Sequence, residues 1–422
     1  MDKRSNIGPV LILGSLFFIF GFVTWLNSTL IPYLRISCEL KPVEAMLVAF
    51  AFYISYFVMS LPASKILERT GFKKGMMLGL VVMALGALIF VPAALSRIYA
   101  LFLLGLFIIG TGLALLQTAS NPYVTIVGPI ESAAKRISIM GIANKIAGVL
   151  APIILGAVIL NDADSVMERV KTASPELKNK ILNELAAKAI LPYCLMALVL
   201  VGLAVMLYFS SLPEIEQENE EDEKDITSDI LKQEHTSIFQ FPNLILGALG
   251  IFLYVGAEVV CGDTIILYGQ SMHIPLQDAR IFTSYTLAGM VIGYIIGIVM
   301  IPKIITQAKA LSMTALLGIL VTGLALTSEG YESILFIASL GIANALVWPA
   351  IWPLAIHGLG KFTKTGSAIL VMCIAGGAVM PLLYAQLANT PSIGFKNAYW
   401  LLIPIYAYIF FYAVKGHKIF KW

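Results

Sequence analysis

Apolar residues run through this chain in long blocks, divided by short polar stretches that carry glycine, proline and paired basic residues. A helix needs about 20 residues to cross a hydrocarbon core of about 30 Å, and the blocks reach that length repeatedly. They predict twelve helical spans, near 8–34, 43–67, 73–95, 98–127, 132–160, 189–211, 240–269, 277–302, 308–327, 331–357, 362–388 and 395–415. MDKRSNIGPVLILG has no small-residue cleavage site, so the first block is expected to stay as a helix and not to leave as a signal peptide.

Two stretches depart from the pattern. The segment around 161–188, with SVMERVKTASPELKNKILNELAAKAI, mixes charges and reads as an amphipathic helix lying outside the membrane. LPEIEQENEEDEKDITSDILKQEHTS is acidic and nearly free of aromatics, too polar to order itself by burial. It predicts a cytoplasmic linker over 212–238, joining six-helix bundles at 1–211 and 239–422.

Composition fixes the class. Of 422 residues, 59% are hydrophobic and 13% charged, with mean hydropathy +0.88. Soluble globular chains carry about 25% charged residues, so this is an all-α membrane protein with the lipid bilayer as its main partner. Lys and Arg gather in the inter-span segments that share a side with the N-terminus, among them Lys65, Arg69, Lys73, Lys74, Lys309 and Lys415. By the positive-inside rule both termini are cytoplasmic. The net charge of +3 gives no indication of a nucleic-acid partner, and a monomer is expected. The four cysteines show no metal-ligand or CxxC spacing and read as small buried hydrophobes; no metal site and no cofactor are expected.

The halves echo one another. LFFIFGFVTWLNSTLIPY (Leu16–Tyr33) lies over IFLYVGAEVVCGDTIILY (Ile251–Tyr268) without a gap, so that Ser28-Thr29 meets Asp263-Thr264. QTASNP (Gln117–Pro122) lies over WPAIWP (Trp348–Pro353). Parallel six-helix repeats with the substrate between them are the major facilitator architecture. ASKILERTGFKKG, between spans two and three, resembles a degenerate form of that superfamily's cytoplasmic loop motif.

Five motifs narrow the resemblance: WLNSTLIPYL, AFYISYF, LQTASNPYVTIVGPIES, YVGAE and WPAIWPLAI with GLGKFTKTGSAI. Together they resemble the fucose permease family of the major facilitator superfamily, and within it the pattern of the bacterial glucose/galactose transporters. The resemblance runs from end to end. It implies sugar symport across a bacterial inner membrane, driven by protons or sodium. It also departs from the proton-coupled pattern, which has an aspartate where Ser28 stands and a glutamate where Gln117 stands. Neither residue here titrates in the accessible range, so a proton-relay role does not transfer. Both remain neutral hydrogen-bonding groups suited to a polyol.

Spacing supports a lined cavity. Gln117 and Asn121 are four apart, on one helix face; Asn344, Trp348 and Trp352 form a stripe of one amide and two indoles. Asn27 and Ser28 make a polar patch on span one, and Tyr53 belongs to AFYISYF. Aromatic faces beside amides and hydroxyls suit a sugar ring, whose C–H face is apolar and whose edge is hydroxyl. Trp25 reads as a membrane-interface residue. Asn144 matches an asparagine of the family pattern, which implies a contact with a sugar hydroxyl.

Three charges lie away from the span ends. Lys145 lies about thirteen residues into span five, about 20 Å from the surface, too deep to reach water along its own stem. Glu258 is the candidate partner. Asp263, five residues on, points elsewhere and lies nearer the outer interface, where solvent is an alternative to a partner. Lys145, Glu258 and Asp263 are the candidates for ion coupling. Two other readings stand beside glucose/galactose import: an amino-sugar or acidic sugar held by Lys145, and a non-transporting membrane sensor. No HExxH pair, nucleophile–base set or cofactor motif lies in the spans, so enzymatic activity is not expected.

Overall fold

A computed structural model describes residues 7–126, 133–210, 212, 237–301 and 304–420. Among them every regular element is helical. Eleven helical segments are long and apolar enough to cross a membrane. One of these, Pro42–Ser96, runs 55 residues, well over twice what a bilayer needs. It reverses at Gly71, whose φ of +76° lies in the left-handed region that glycine reaches without strain. That turn separates spans two and three and completes a set of twelve.

The remaining spans follow the predicted order: Tyr99–Ile126 (four), Ala133–Ile159 (five), Ile190–Phe209 (six), Phe282–Met300 (eight), Gln307–Thr327 (nine) and Leu402–Val414 (twelve). Four are broken. Span one is Ile7–Trp25 and Asn27–Ser37; span seven is Pro242–Asp263 and Ile265–Ser271. Span ten is Gly330–Asn344 and Val347–Ile356; span eleven is Thr363–Met372 and Gly376–Ala388. The predicted external amphipathic helix is two helices, Ala163–Thr172 and Pro175–Ala187. Pro175 at the first helical position and Ser174 as N-cap start a new helix there, Ser174 Oγ accepting from the Leu177 amide. Nearly all of the acidic linker, and the charged loops bearing Lys3, Arg4 and Lys303, lie outside the described residues.

Lipid offers helices no hydrophobic drive to associate, so close backbone contact must hold them together. It does so in equivalent places in the two bundles. A Cβ on Gly21 of span one would sit 1.8 Å from the Asn144 carbonyl oxygen of span five, and one on Gly376 of span eleven 1.8 Å from that of Phe252 in span seven. Likewise Gly110 of span four abuts the Phe52 carbonyl of span two, as Gly341 of span ten abuts Thr286 of span eight. One and five pack as seven and eleven do; two and four pack as eight and ten do. Two pseudo-symmetric six-helix bundles result.

Where the bundles meet, polar bonds gather at the end away from the termini, here called the far end. Arg280 Nη1 donates to the Gly156 carbonyl at 3.1 Å and Ser284 Oγ to that of Val149 at 2.8 Å. The Asp164 carboxylate accepts from the amides of Leu276 and Gln277, each at 3.0 Å. Deeper in the seam, Ser60 Oγ donates to the Ala368 carbonyl at 2.9 Å.

Candidate functional site

The breaks in spans one and seven face each other. Ser28 Oγ donates to the Trp25 carbonyl at 2.8 Å and Thr264 Oγ1 to that of Val260 at 2.6 Å. Such side-chain bonds to a preceding carbonyl compete with the helix ladder and bend it. Gly262 then lies directly on the indole of Trp25: a Cβ there would be 2.2 Å from a ring carbon. Trp25 is 2% exposed, so the interface reading of this residue is corrected. It forms the wall between the bundles.

Lys145 stands on the same wall. Its ammonium is 5.1 Å from the Trp25 ring centroid and 2.5 Å from Glu258 Oε1, an ion pair that joins span five of one bundle to span seven of the other. Each side chain is 11% exposed. The depth of Lys145 demanded a partner, and Glu258 supplies it. Asp263 differs from expectation. It is fully buried, not solvated, and among the described residues neither carboxylate oxygen has a hydrogen-bond partner.

The neutral candidates separate into two groups. In the N-terminal bundle Gln117 is half-buried and its Nε2 donates to Tyr56 Oη at 3.1 Å. Tyr56 stacks on Tyr53, ring centroids 6.4 Å apart, and Tyr53 packs over Gly377 and Val259 of the opposite bundle. Asn27 is buried, and among the described residues neither its Nδ2 nor its Oδ1 has a hydrogen-bond partner. Asn144 Nδ2 donates to the Phe17 carbonyl at 3.2 Å, bracing span five on span one. Asn121 lies on the span-four helix, but its side chain is outside the described residues.

In the C-terminal bundle, the single stripe of Asn344, Trp348 and Trp352 is interrupted, because span ten breaks between Asn344 and Val347. Pro349 and Pro353 lack the amides that would bond back one turn. Gln307 Nε2 instead donates to the freed Pro349 carbonyl at 2.6 Å. Beyond the break, Trp348 and Trp352 are half-buried and stacked, centroids 5.2 Å apart and planes inclined by 29°. Before it, Asn344 is buried, its Oδ1 accepting from Tyr406 Oη at 2.9 Å and its Nδ2 unpartnered. Tyr56 and Tyr406 orient the two amides; Tyr56 lies in AFYISYF, from which only Tyr53 was singled out, and Tyr406 stands in an apolar helix with no motif around it.

The two bundles thus carry neutral amides, hydroxyls and two half-buried indoles, and the seam between them holds one ion pair and, among the described residues, one acid without a hydrogen-bond partner. Neutral amides and hydroxyls can exchange hydrogen bonds with an uncharged polyol, and indole faces can take its C–H groups. Among the described residues, no group of three or more His, Cys, Asp or Glu side chains is arranged to hold a metal ion. A separate cavity of about 440 Å³ opens at the far end, lined by Arg35, Lys171, Gln270 and Phe395 among others, away from the indoles.

Comparison with known proteins gives the same architecture and a family. The Major Facilitator Superfamily profile matches residues 13–382. The chain is 35% identical to a glucose/galactose transporter of Brucella abortus over 99% of its own length and 96% of that protein's. It is 30% identical to the L-fucose-proton symporter of Escherichia coli over 94% and 88% of the two. The crystal structure of a Major Facilitator Superfamily transporter, FucP, in the outward conformation superposes with a TM-score of 0.75 at 27% identity, covering 97% of this chain and 99% of that one. A D-xylose-proton symporter, at 15% identity and a TM-score of 0.68, shares the fold. The chain therefore belongs to the Major Facilitator Superfamily, in the branch that unites glucose/galactose transporters with L-fucose-proton symporters.

Proposed function

We propose that this protein is a cation-coupled importer of a glucose- or galactose-type monosaccharide, working by alternating access as a monomer in a bacterial inner membrane with both termini cytoplasmic. The observation that supports it best is the end-to-end match to a glucose/galactose transporter, laid over a seam of neutral amides and stacked indoles. In this reading Gln117, Asn344, Asn27, Ser28, Asn144 and Asn121 serve the hydroxyl edge of the sugar. Trp348 and Trp352 serve its C–H face, and Tyr53 closes the side wall. Transport is the activity; no enzymatic step is involved.

Alternating access requires that bonds between the bundles break and re-form. Lys145–Glu258, Arg280–Gly156 and Asp164 with Leu276 and Gln277 all cross that seam. Their loss would open the far end, which in this reading faces the outside of the cell. Protons are the preferred coupling ion over sodium, because a relative 30% identical is a proton symporter. The acidic-sugar reading loses support, since the Lys145 ammonium already has its carboxylate. Uptake of radiolabelled monosaccharides into proteoliposomes, under separate pH and sodium gradients, tests the proposal. Concentration of glucose or galactose under a pH gradient is expected; absence of any monosaccharide flux, including exchange, would overturn it.

A further inference from the structure

We infer that Asp263 is the group that takes up and releases the coupled proton, and that with sugar bound the seam between the broken helices of spans one and seven closes over it only when the proton is bound too. This rests on the sugar-symport reading and adds to it the identity of the carrier.

Four observations converge on Asp263. It is fully buried, and among the described residues both its carboxylate oxygens lack a partner. Glu258, the other acid of the helix, is neutralised by Lys145. Across the seam the side chain of Asn27 is equally buried and unpartnered at both its atoms. Finally, Ser28 and Asp263 are equivalent positions of the internal repeat, equally far from the first residues of their spans, Ile7 and Pro242, and both adjoin the contact between Trp25 and Gly262. The acid absent from the span-one break is present at its symmetry mate.

The titratable groups facing Asp263 are few. Tyr53 of span two lies within electrostatic reach of both Asp263 and Glu258, and Lys145 of span five acts through Glu258. Span one presents Trp25 and Asn27, and span eight presents Thr283, which donates to the Gly262 carbonyl at 2.6 Å. Beyond the break, Tyr399 pairs with Thr264 and stacks near Tyr384. Among the described residues no cation pairs with Asp263.

Enclosing an unpaired carboxylate in this seam is costly, whereas a carboxylic acid is neutral. With the far end open, water brings a proton, and one O–H bond forms on Asp263. Closure then carries a neutral group inward. Opening on the other side returns the proton to water, and the empty carrier swings back with water in place of the sugar, which keeps the carboxylate hydrated until the next proton binds. Sugar and proton thus move in the same direction, with no change in the Lys145–Glu258 charges required.

The test uses the full chain in proteoliposomes with labelled galactose and glucose. Wild-type protein should exchange sugar at equal pH and accumulate it up to about tenfold for a one-unit gradient at one proton per sugar. Asp263→Asn should exchange but reach only the external concentration, and its exchange should lose its dependence on pH. Adding Ser28→Asp to that variant should restore accumulation. Should Asp263→Asn be inactive in both assays, Asp263→Glu decides: accumulation with a displaced pH profile supports the assignment, and none overturns it. Undiminished accumulation by Asp263→Asn overturns it, as does accumulation that follows sodium and ignores pH. Absence of wild-type exchange would instead overturn the sugar reading, and this inference with it.

Discussion

Replacing Lys145 by methionine should weaken the protein far more than replacing Lys145 and Glu258 together. The single change leaves Glu258 buried, 11% exposed, without the ammonium that stands 2.5 Å away. Breaking one side of such a pair costs about 3–5 kcal/mol, while exchanging both partners for apolar residues of similar volume is close to neutral. The pair spans the two bundles, so the same energy also biases the closed far end against the open one. About 3 kcal/mol amounts to a shift of about 150-fold in that equilibrium. Melting of purified protein in detergent, for Lys145→Met, Glu258→Met and the double variant, completes a thermodynamic cycle. Both single variants should melt well below wild type and the double variant should recover most of the loss. If the two losses simply add, within about 0.5 kcal/mol, the residues do not act as a pair and the reasoning fails.

Other consequences can be checked separately. Tyr406→Phe strips Asn344 Oδ1 of its donor, a loss of about 1–3 kcal/mol at a buried site, and should lower stability and raise the KM for sugar more than it lowers the maximal rate. Trp352→Ala removes one of two stacked indoles and should raise the KM about 5- to 30-fold, on the order of 1–2 kcal/mol of lost apolar contact, with Trp352→Phe in between; steady-state uptake measures both. Gly262→Leu places a side chain where the Trp25 ring lies, so it should abolish transport while sugar binding to the purified protein, followed by calorimetry, survives.

Much of the fold was legible because a bilayer imposes a length on every apolar block. The twelve spans and their order follow from it. What the blocks do not record is where a helix breaks. Span one breaks at a serine that bonds back to Trp25, and span ten where two prolines withhold their amides; a hydropathy pattern reads through both. For the same reason Asn344, Trp348 and Trp352 looked like one stripe, although the break sets the amide in a buried pocket and leaves the indoles accessible. The partner of Lys145 was legible from the cost of burying a lone charge. Trp25 and Asp263 were misjudged for a shared cause: distance along the helix suggested an interface, and only the opposing bundle shows that the position is covered.

The central claim is that an uncharged sugar sits between the bundles, held by amides and indoles. A structure determined with bound galactose or glucose tests it most directly. The account predicts the sugar ring against Trp348 and Trp352, with a hydroxyl within hydrogen-bond distance of Gln117. Sugar lodged only in the far-end cavity beside Arg35 and Phe395, with nothing between the bundles, would contradict it.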